Sequence, residues 1–584
     1  MKNEGHKIEA AGSLAEYACW FLGASFLLTG AIGGPDYLRY LDWGWAFALN
    51  DIFRINSELA SPVGVPLSQW SHGPGLFYAL PAFVHRLLQN TSPLSASILG
   101  DSLIAGWFAV LILWWSFNKI LRDRLGSSDE PRLFWLGIAF LGTHMGYYSR
   151  SHGSESLALG CLSLFAFWTI LPRNWRRWDV ITAGMLAAIL IIIRIQLAPY
   201  AILGVILAFY RFRQSTSYDR SMKSLLSLIM ILGAIFAAAT TQILLVNFWM
   251  TGSFLHSTHM FGNGVFKSLD FSNPEILSVL FHPWHGLFVY HPFYIIGVIA
   301  FLRRLSLASG KVEKSFLAGL GLAIALHVYL QAAWYCWWLG TGTFGMRGLS
   351  VLGLIFPLLI IDDYRNPCTS HRIRMLYSIG AVICAVWSYL LMLQGDTNLT
   401  TFENIVAAQW LTLCAPPTFL SLLLATGIGC IYLLFSRRNK DDISFERFCS
   451  GGLSFLILWW LFVSTTASSL TVKTASVAFI MALLCALRVV AKPDRALKDK
   501  IFSTAHLRIG VGILACFALI SIIFLTFSVS TYDYIRGHKS VPITFTRQSP
   551  VYYPEVKECY SEYSRISGFE DNKERLRGYL MDIQ

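Results

Sequence analysis

Four short clusters of polar and aromatic residues could do chemistry in a sequence that is otherwise strongly apolar. The first, residues 34–40, contains Asp36, Arg39 and Tyr40 and directly follows an apolar stretch. A carboxylate there could act as a general base toward a hydroxyl group. A helix cap after Pro35, or an ion pair between Asp36 and Arg39 at helical spacing, explains the same residues without catalysis. On position alone this structural explanation is the stronger one.

The second and third clusters add a histidine and a second acid. His72 lies in residues 70–78, where two glycines and a proline predict a tight turn, so it is either the polar rim of a substrate site or a solvated histidine at a turn. In the third cluster, residues 147–155, Arg150, His152 and Glu155 share one short connection. Mutual ion pairing and a second active-site carboxylate both explain them, and the spacing does not decide between the two.

The fourth cluster, residues 334–347, contains Trp338 and ends at Arg347. Its tryptophans suit a membrane–water interface. Its glycines allow a close backbone approach, and an arginine fork beside backbone N–H groups is well suited to hold phosphate. Such contacts would stabilise a departing phosphate group. Arg194, farther from these clusters in the chain, could also contact an anionic head group.

Five histidines between residues 256 and 291 invite a comparison with a metal site. Asp270 and Glu275 are the acids near them in the sequence, and no histidine pair has a matching carboxylate. We therefore interpret His259, His282 and His285 as wall residues of a substrate site or as partners of an aromatic belt. The spacing does not support a divalent metal, and the cofactor stays unknown.

The elements that carry these clusters are predicted to be membrane-spanning helices. Hydrophobic residues make up 55% of the 584 residues and charged residues 14%, with a mean hydropathy of +0.53; a soluble protein carries about 25% charged residues. Apolar runs of about 18 residues or more recur along the chain, which predicts an all-α polytopic membrane protein. The net charge of +12 comes largely from basic loops between spans, so we expect no nucleic-acid partner.

The chain is predicted to cross the membrane roughly fifteen times. Alternate loops are basic, which places the N-terminus in the cytoplasm and the tail from about residue 531 outside. A single helix over residues 179–210 would reverse this pattern, so we predict two short helices that turn near Arg194. The predicted spans are 14–33, 98–121, 133–149, 156–172, 179–193, 195–210, 225–250, 286–302, 315–336, 347–361, 374–394, 412–435, 451–468, 474–490 and 507–530.

In this order and sidedness, the clusters resemble motifs of the GT-C glycosyltransferases, the multi-span enzymes that use polyprenyl-phosphate-linked sugars. The resemblance is to the bacterial branch related to protein O-mannosyltransferases and aminoarabinose transferases. Asp36, Arg39 and Tyr40 match the family's D-E-x-R-Y motif, in which Tyr37 replaces the second acid. Residues 71–74 resemble the family's proline-containing turn. Residues 338–347 resemble W-x-G-G-x-x-F-G-x-R with looser spacing.

The resemblance implies a GT-C-like transmembrane helix bundle. Its catalytic core would cover residues 1–360, including the outer loops 34–97 and 251–285. Residues 361–530 would be variable helices, and residues 531–584 a small outer, periplasmic tail. The protein would lie in the bacterial inner membrane with its active site on the outer face.

The resemblance also implies the reaction. Asp36 would deprotonate an acceptor hydroxyl, which attacks the anomeric carbon of a polyprenyl-phosphate sugar with inversion. Glu155 would be a second acidic site near the donor, and the missing acid at Tyr37 puts a metal at the first motif in doubt. The acceptor would be a lipid, a glycan or a protein. The donor phosphate or lipid would be bound by Arg347, Arg194, Arg150, Arg39 and Tyr40, and the substrate by His72, Trp338 and His282.

Other functions fit the same architecture. A transporter or flippase for a lipid-linked sugar needs many spans and a basic head-group pocket, but transporters often show internal repeats, and none is visible here. A lipid-linked oligosaccharide ligase would share the chemistry, and a structural subunit of an envelope assembly is a further alternative. Because the polar residues concentrate on one predicted face, the sequence favours an enzyme.

Overall fold

A computed structural model of the chain describes residues 97–126, 129–150, 154–215, 222–251, 271–334 apart from 284, 344–394, 402–435 apart from 415, and 445–463, with a few positions within 15–22 and 74–79. These residues are almost all helical. In chain order the helices are α1 (Ser97–Leu125), α2 (Asp129–Gly142), α3 (His144–Arg150), α4 (Ser154–Ile170), α5 (Arg177–Ile193), α6 (Ala198–Gln214), α7 (Met222–Thr251), α8 (Ile276–Phe281), α9 (Leu287–Tyr290), α10 (Phe293–Leu307), α11 (Lys311–Ala333), α12 (Leu352–Tyr364), α13 (His371–Gln394), α14 (Phe402–Cys414), α15 (Pro416–Phe435) and α16 (Phe445–Val463).

Four helical segments in the described part of the chain are long and apolar enough to cross a membrane. They are Ile195–Gln214, Leu225–Leu245, Lys311–Ala333 and His371–Leu393. The pair Phe402–Cys414 and Thr418–Gly429, bent by 64°, would add a fifth if it formed one broken span. This supports an all-helical membrane protein. The total of about fifteen spans stays a prediction, and the spans at 474–490 and 507–530 and the tail 531–584 lie outside the described residues.

The predicted turn at Arg194 is confirmed. Helix α5 ends at Ile193, Arg194 adopts an extended conformation (φ −149°, ψ 112°), and a short 3₁₀ turn at Ile195–Leu197 leads into α6. A proline in the first turn of α6 suits a new helix start, because proline needs no N–H partner there. The two helices pack against each other, so residues 177–214 form a helical hairpin.

Two predicted single spans are broken in the structure, which corrects their boundaries. The span predicted at 133–149 consists of α2 and α3, separated at Thr143, whose side chain donates to the Ala139 carbonyl at 2.5 Å and accepts from the Met145 N–H at 3.1 Å. The span predicted at 286–302 is interrupted at Pro292, which precedes α10. Local hydrogen bonding and proline end these helices, although the apolar pattern runs on.

Helix packing brings the last turns of several helices to one end of the bundle. Arg211 in α6 donates to the carbonyl oxygens of Thr169 and Ile170 at 2.8 and 2.5 Å, which satisfies the C-terminus of α4. Arg124 at the end of α1 lies 3.4 Å from Asp362 at the end of α12. Arg124, Arg173 and Arg211, which come from three of the basic regions, therefore lie near one another at this end. Which side of a membrane this end faces stays a prediction.

Close helix packing holds the bundle together across the predicted domain boundary. Helix α1 runs along α4, where a Cβ atom added at Gly160 would lie 2.5 Å from the Ala109 carbonyl oxygen. Helices α13 and α16, from the predicted C-terminal region, pack on α2, and α12 runs through residue 360. The division at residue 360 itself stays a prediction.

Candidate functional site

Three residues that the sequence singles out meet at the end of the bundle opposite the basic one. The Glu155 carboxylate accepts a short hydrogen bond from the Arg194 guanidinium. Arg347 Nε lies 3.7 Å from the same oxygen, Glu155 Oε1. Two guanidinium groups therefore converge on one carboxylate oxygen, and we call Glu155, Arg194 and Arg347 the charged triad.

Each member of the charged triad is held at the end of a helical element. Glu155 stands in the first turn of α4. Arg194 is the extended residue between α5 and α6, and its N–H donates to the Leu190 carbonyl at 2.9 Å. Arg347 opens a 3₁₀ turn, Arg347–Leu349, that precedes α12. The antiparallel course of α4, α5 and α6 brings the first two positions to the same end of the bundle.

The charged triad is largely shielded from solvent. The side-chain exposure is 8% for Glu155, 16% for Arg194 and 28% for Arg347. Burial alone would raise the pKa of Glu155, but the two guanidinium groups and its hydrogen bonds outweigh burial and lower it. Glu155 lies outside the four candidate spans. It is therefore an ionised carboxylate that holds two cations, and the triad keeps a net positive charge.

Two aromatic residues of α3 fix the backbone segment that leads to Arg347. The Tyr148 hydroxyl donates to the Phe344 carbonyl at 3.1 Å, and the Tyr147 ring stacks on the Phe344 ring at 4.9 Å between centroids. The Ser156 hydroxyl donates to the Tyr148 carbonyl at 2.7 Å, which ties the start of α4 to α3. This network sets Glu155 and Arg347 relative to each other.

Gly345 makes the close approach of this segment to the histidines beneath it feasible. Its φ is +61°, in the left-handed region that favours glycine. A Cβ atom added there would lie 3.1 Å from His144 Nε2 and 3.2 Å from Tyr290 Cβ. Both the backbone conformation and the space therefore require glycine two positions before Arg347.

A buried histidine pair forms the floor under Gly345. The His144 and His291 rings lie 4.0 Å apart between centroids, and both residues are fully buried. His144 Nδ1 and the Tyr294 hydroxyl form a hydrogen bond of 2.7 Å, and His291 Nδ1 bonds the Gly142 carbonyl at 3.2 Å. These two hydrogen bonds fix both rings beneath the Gly345 backbone.

Sequence reasoning missed His144 and Tyr294 as parts of this floor. A signal was available for His144, because an ionisable residue inside an apolar stretch is costly and therefore worth attention. His144 packs against His291, which belongs to a distant segment of the chain. His291 and Gly142, for example, are 149 positions apart. No local pattern reveals such a contact.

The loop between α8 and α9 brings two more histidines toward Arg347. His285 is buried, and burial, His282 and Arg347 together lower its pKa to about 3. His282 is half-buried at the end of α8; burial lowers its pKa, and Glu275 opposes that effect. His285 therefore lies within electrostatic range of Arg347. The role of His282 in binding substrate stays a prediction.

Of the other predicted site residues, the structure describes one, and only by its position in a helix. Arg150 is the last residue of α3. The remaining ones, Asp36, Arg39, Tyr40, His72 and Trp338, lie outside the described residues. Among the residues that are described, no group of three histidine, cysteine, aspartate or glutamate side chains could hold a metal ion.

Chemically, the charged triad is suited to an oxyanion. Guanidinium groups bind phosphate through paired N–H donors, and a shielded site strengthens these contacts.

Comparisons with protein-family models, with curated proteins and with solved structures found no match for this chain. The GT-C resemblance therefore rests on the residues quoted from the sequence and on no detected relative.

Proposed function

We propose that this protein is an integral membrane glycosyltransferase. It would transfer a sugar from a polyprenyl-phosphate donor to an acceptor hydroxyl, with inversion, at the outer face of the bacterial inner membrane. The observation that carries the proposal is the convergence of Arg194 and Arg347 on the buried Glu155 carboxylate. This convergence supports a binding site for the donor phosphate.

The position of the triad along the candidate spans suits a lipid-linked phosphate. Arg194 immediately precedes the candidate span Ile195–Gln214, and Arg347 follows the candidate span Lys311–Ala333 in the chain. Arginines at the ends of apolar helices lie at the depth of lipid head groups. A phosphate bound there would leave its isoprenoid chain beside the apolar helices.

In this site, Glu155 would position the two arginine side chains. Two long arginine side chains lose much conformational freedom when they converge on one ligand. The carboxylate holds both guanidinium groups in place before the donor arrives, so it sets the geometry in which the phosphate is bound, while it also competes with that phosphate for the two cations. An ion-paired carboxylate is a weak base, so this geometry favours a positioning role for Glu155.

In the proposed reaction, one group of residues removes the acceptor proton and another stabilises the departing phosphate. Asp36 takes the proton of the acceptor hydroxyl, whose oxygen attacks the anomeric carbon from the face opposite the phosphate. The bond between the anomeric carbon and the phosphate oxygen breaks, and polyprenyl phosphate leaves with the bonding electrons. Arg194 and Arg347 stabilise the added negative charge on the departing phosphate. Arg150, Arg39 and Tyr40 would complete the donor site, and His72, Trp338 and His282 the substrate site.

The proposal is tested with the purified full-length protein in nanodiscs. A panel of radiolabelled polyprenyl-phosphate sugars is supplied with cell-envelope extract as acceptor, and label transfer is measured for wild type, Asp36→Asn and Arg347→Gln. We expect no transfer with Asp36→Asn. Loss of one charge-assisted contact costs about 1.5–3 kcal/mol, so Arg347→Gln should reduce transfer roughly 10- to 150-fold.

A matched control comes from the opposite end of the bundle. Arg304 pairs with Glu313 there and is similarly shielded, with 21% side-chain exposure. Arg304→Gln removes an equivalent charge and pair but should leave transfer at the wild-type level. Transfer at wild-type rates in Asp36→Asn and Arg347→Gln would overturn the proposal. Movement of labelled lipid between leaflets without transfer would make the protein a transporter.

A further inference from the structure

The end of the bundle opposite the charged triad carries an exposed basic and aromatic surface at the start of α5. Arg176, Arg177 and Trp178 are consecutive and all exposed, and Trp178 is 74% exposed. The nearby Asp179 carboxylate accepts from the Arg176 backbone N–H at 2.8 Å, so it caps the helix. A large exposed tryptophan beside two guanidinium groups is typical of residues at the membrane–water interface.

Helix α7 lies alongside α5 and extends this surface. Arg177 Nη2 donates to the Ser227 hydroxyl at 2.9 Å. Farther along, Gly184 of α5 packs directly against the Leu232 side chain of α7. Both contacts advance in the same direction along the two helices, so α5 and α7 run parallel and form a seam that begins at Arg177 and Ser227.

The seam continues from these polar residues into an apolar wall. Trp178 and Met185 are seven residues apart and share one face of α5, and Ser227 and Met230 share one face of α7. For two parallel helices joined at Arg177 and Ser227, these faces open on the same side. Met185 is 49% exposed and Met230 is 66% exposed, so the wall is not covered within the described part of the chain.

We propose that the seam between α5 and α7 binds an anionic phospholipid. Its phosphate would contact Arg176 and Arg177 beside the Ser227 hydroxyl, and one acyl chain would run along Met185 and Met230. Guanidinium groups and the positive end of the α5 dipole favour a phosphate anion. The exposed apolar wall directly below selects a lipid over a soluble phosphate. The seam shares no residue with the charged triad, so it can bind a lipid whether or not the protein transfers sugars.

The two guanidinium groups of Arg176 and Arg177 determine the size of the expected effect. Each Lys or Arg near an anionic membrane surface contributes about 1 kcal/mol, which corresponds to about fivefold in affinity. Replacing Arg176 and Arg177 together by glutamine should therefore weaken binding of phosphatidylglycerol roughly 30-fold. A control variant, Lys311→Gln with Lys314→Gln, removes two exposed charges at the start of α11, at the same end of the bundle.

The experiment is native mass spectrometry of the full-length protein titrated with phosphatidylglycerol or phosphatidylethanolamine, together with thermal unfolding of each variant in lipid-free detergent to confirm folding. We expect wild type and the lysine variant to retain phosphatidylglycerol in preference to phosphatidylethanolamine, and the arginine variant to lose that preference. Equal loss in both variants, or no preference in wild type, would overturn the proposal. Displacement of the lipid by millimolar inorganic phosphate would overturn it too, because the site would then bind phosphate alone. So would a dimer of the protein in the absence of lipid, because a second copy would then cover the seam.

Discussion

The Glu155 carboxylate accepts a hydrogen bond from the Arg194 guanidinium across 39 positions of the chain, near the end of two antiparallel helices. Arg347, from a third segment, approaches the same carboxylate oxygen at 3.7 Å. One anion is thus shared by two cations, and the second cation keeps much of its capacity for another anion. The Glu155 carboxylate and an incoming phosphate therefore compete for the same two guanidinium groups.

Glu155→Gln should destabilise the protein and increase its response to phosphate. Without the carboxylate, two shielded guanidinium groups face each other, and we expect a loss of about 3 kcal/mol at most because Arg347 is partly exposed. A phosphate would then replace the missing anion. Thermal unfolding with and without polyprenyl phosphate should show a larger stabilising shift in the variant than in wild type.

The matched control for Glu155→Gln is Glu313→Gln, which breaks the Arg304 pair at the other end of the bundle. We expect this variant to respond to polyprenyl phosphate like wild type. If Glu155→Gln gains no more stability from the ligand than Glu313→Gln does, the triad is a structural ion pair and not an anion site.

Gly345→Ala should impair donor use more than it impairs folding. Alanine at φ +61° costs about 1–2 kcal/mol, and the added Cβ also crowds His144 Nε2 at 3.1 Å. The segment would shift away from the histidine pair and carry Arg347 out of reach of Glu155. We expect transfer to fall at least tenfold, mainly through a higher donor KM, as measured in nanodiscs.

Gly126 provides the comparison that separates strain from displacement. Its φ is +86°, but nothing lies within 4 Å of an added Cβ. Gly126→Ala therefore introduces backbone strain without crowding and should leave the donor KM unchanged. Equal donor KM values in both alanine variants would contradict a role for Gly345 in positioning Arg347.

The charged triad was accessible from the sequence for a physical reason. An ionisable group beside an apolar helix is costly, so Glu155, Arg194 and Arg347 stand out, and the loop-charge pattern that requires a turn at Arg194 also assigns all three to one face. The turn at Arg194 is confirmed, and the three residues lie at one end of the bundle, which is consistent with this assignment. Their roles in binding and transfer stay predictions.

The floor of the site could not be predicted in the same way. His144 pairs with His291 only because the α2–α3 break at Thr143 and the break before Pro292 place both rings under Gly345. Apolar periodicity runs through both breaks, so it predicts continuous spans there. Helix breaks made by one side-chain hydrogen bond or one proline alter direction without altering hydropathy.

Asp363→Asn should destabilise the bundle without changing donor binding. Asp363 is fully buried at the basic end, where it accepts from Arg303 Nε at 2.9 Å and from the Tyr377 hydroxyl at 2.6 Å. Loss of the charge leaves Arg303 without its carboxylate, and breaking a buried pair costs about 3–5 kcal/mol, somewhat less here because Arg303 is 27% exposed. Thermal unfolding measures the loss.

Tyr377→Phe is the comparison variant for Asp363→Asn, because it removes one hydrogen bond to Asp363 and no charge. We expect a cost of about 0.5–1.5 kcal/mol. If Asp363→Asn is no more destabilising than Tyr377→Phe, the carboxylate does not act as a charged anchor. A changed affinity for polyprenyl phosphate in either variant would contradict the separation of the two ends.

Acidification should destabilise the protein through His285, a buried histidine near Arg347. Burial, His282 and Arg347 lower the pKa of His285 to about 3. The unfolded chain binds a proton at this residue near pH 6.5, and the folded chain binds it only near pH 3. Unfolded protein is therefore favoured progressively as the pH falls from about 6.5 toward 3.

The measurement is the unfolding temperature of the full-length protein between pH 7.5 and pH 4. His285→Asn should flatten this pH dependence, because asparagine takes up no proton in either state. His371→Asn, at an exposed position at the start of α13, is the control and should follow the wild-type curve. If His285→Asn loses stability on acidification as steeply as wild type does, proton uptake at His285 is not what weakens the fold. The acid response must then come from other groups, of which His291 and His144 in the floor of the site are the next to test by the same substitution.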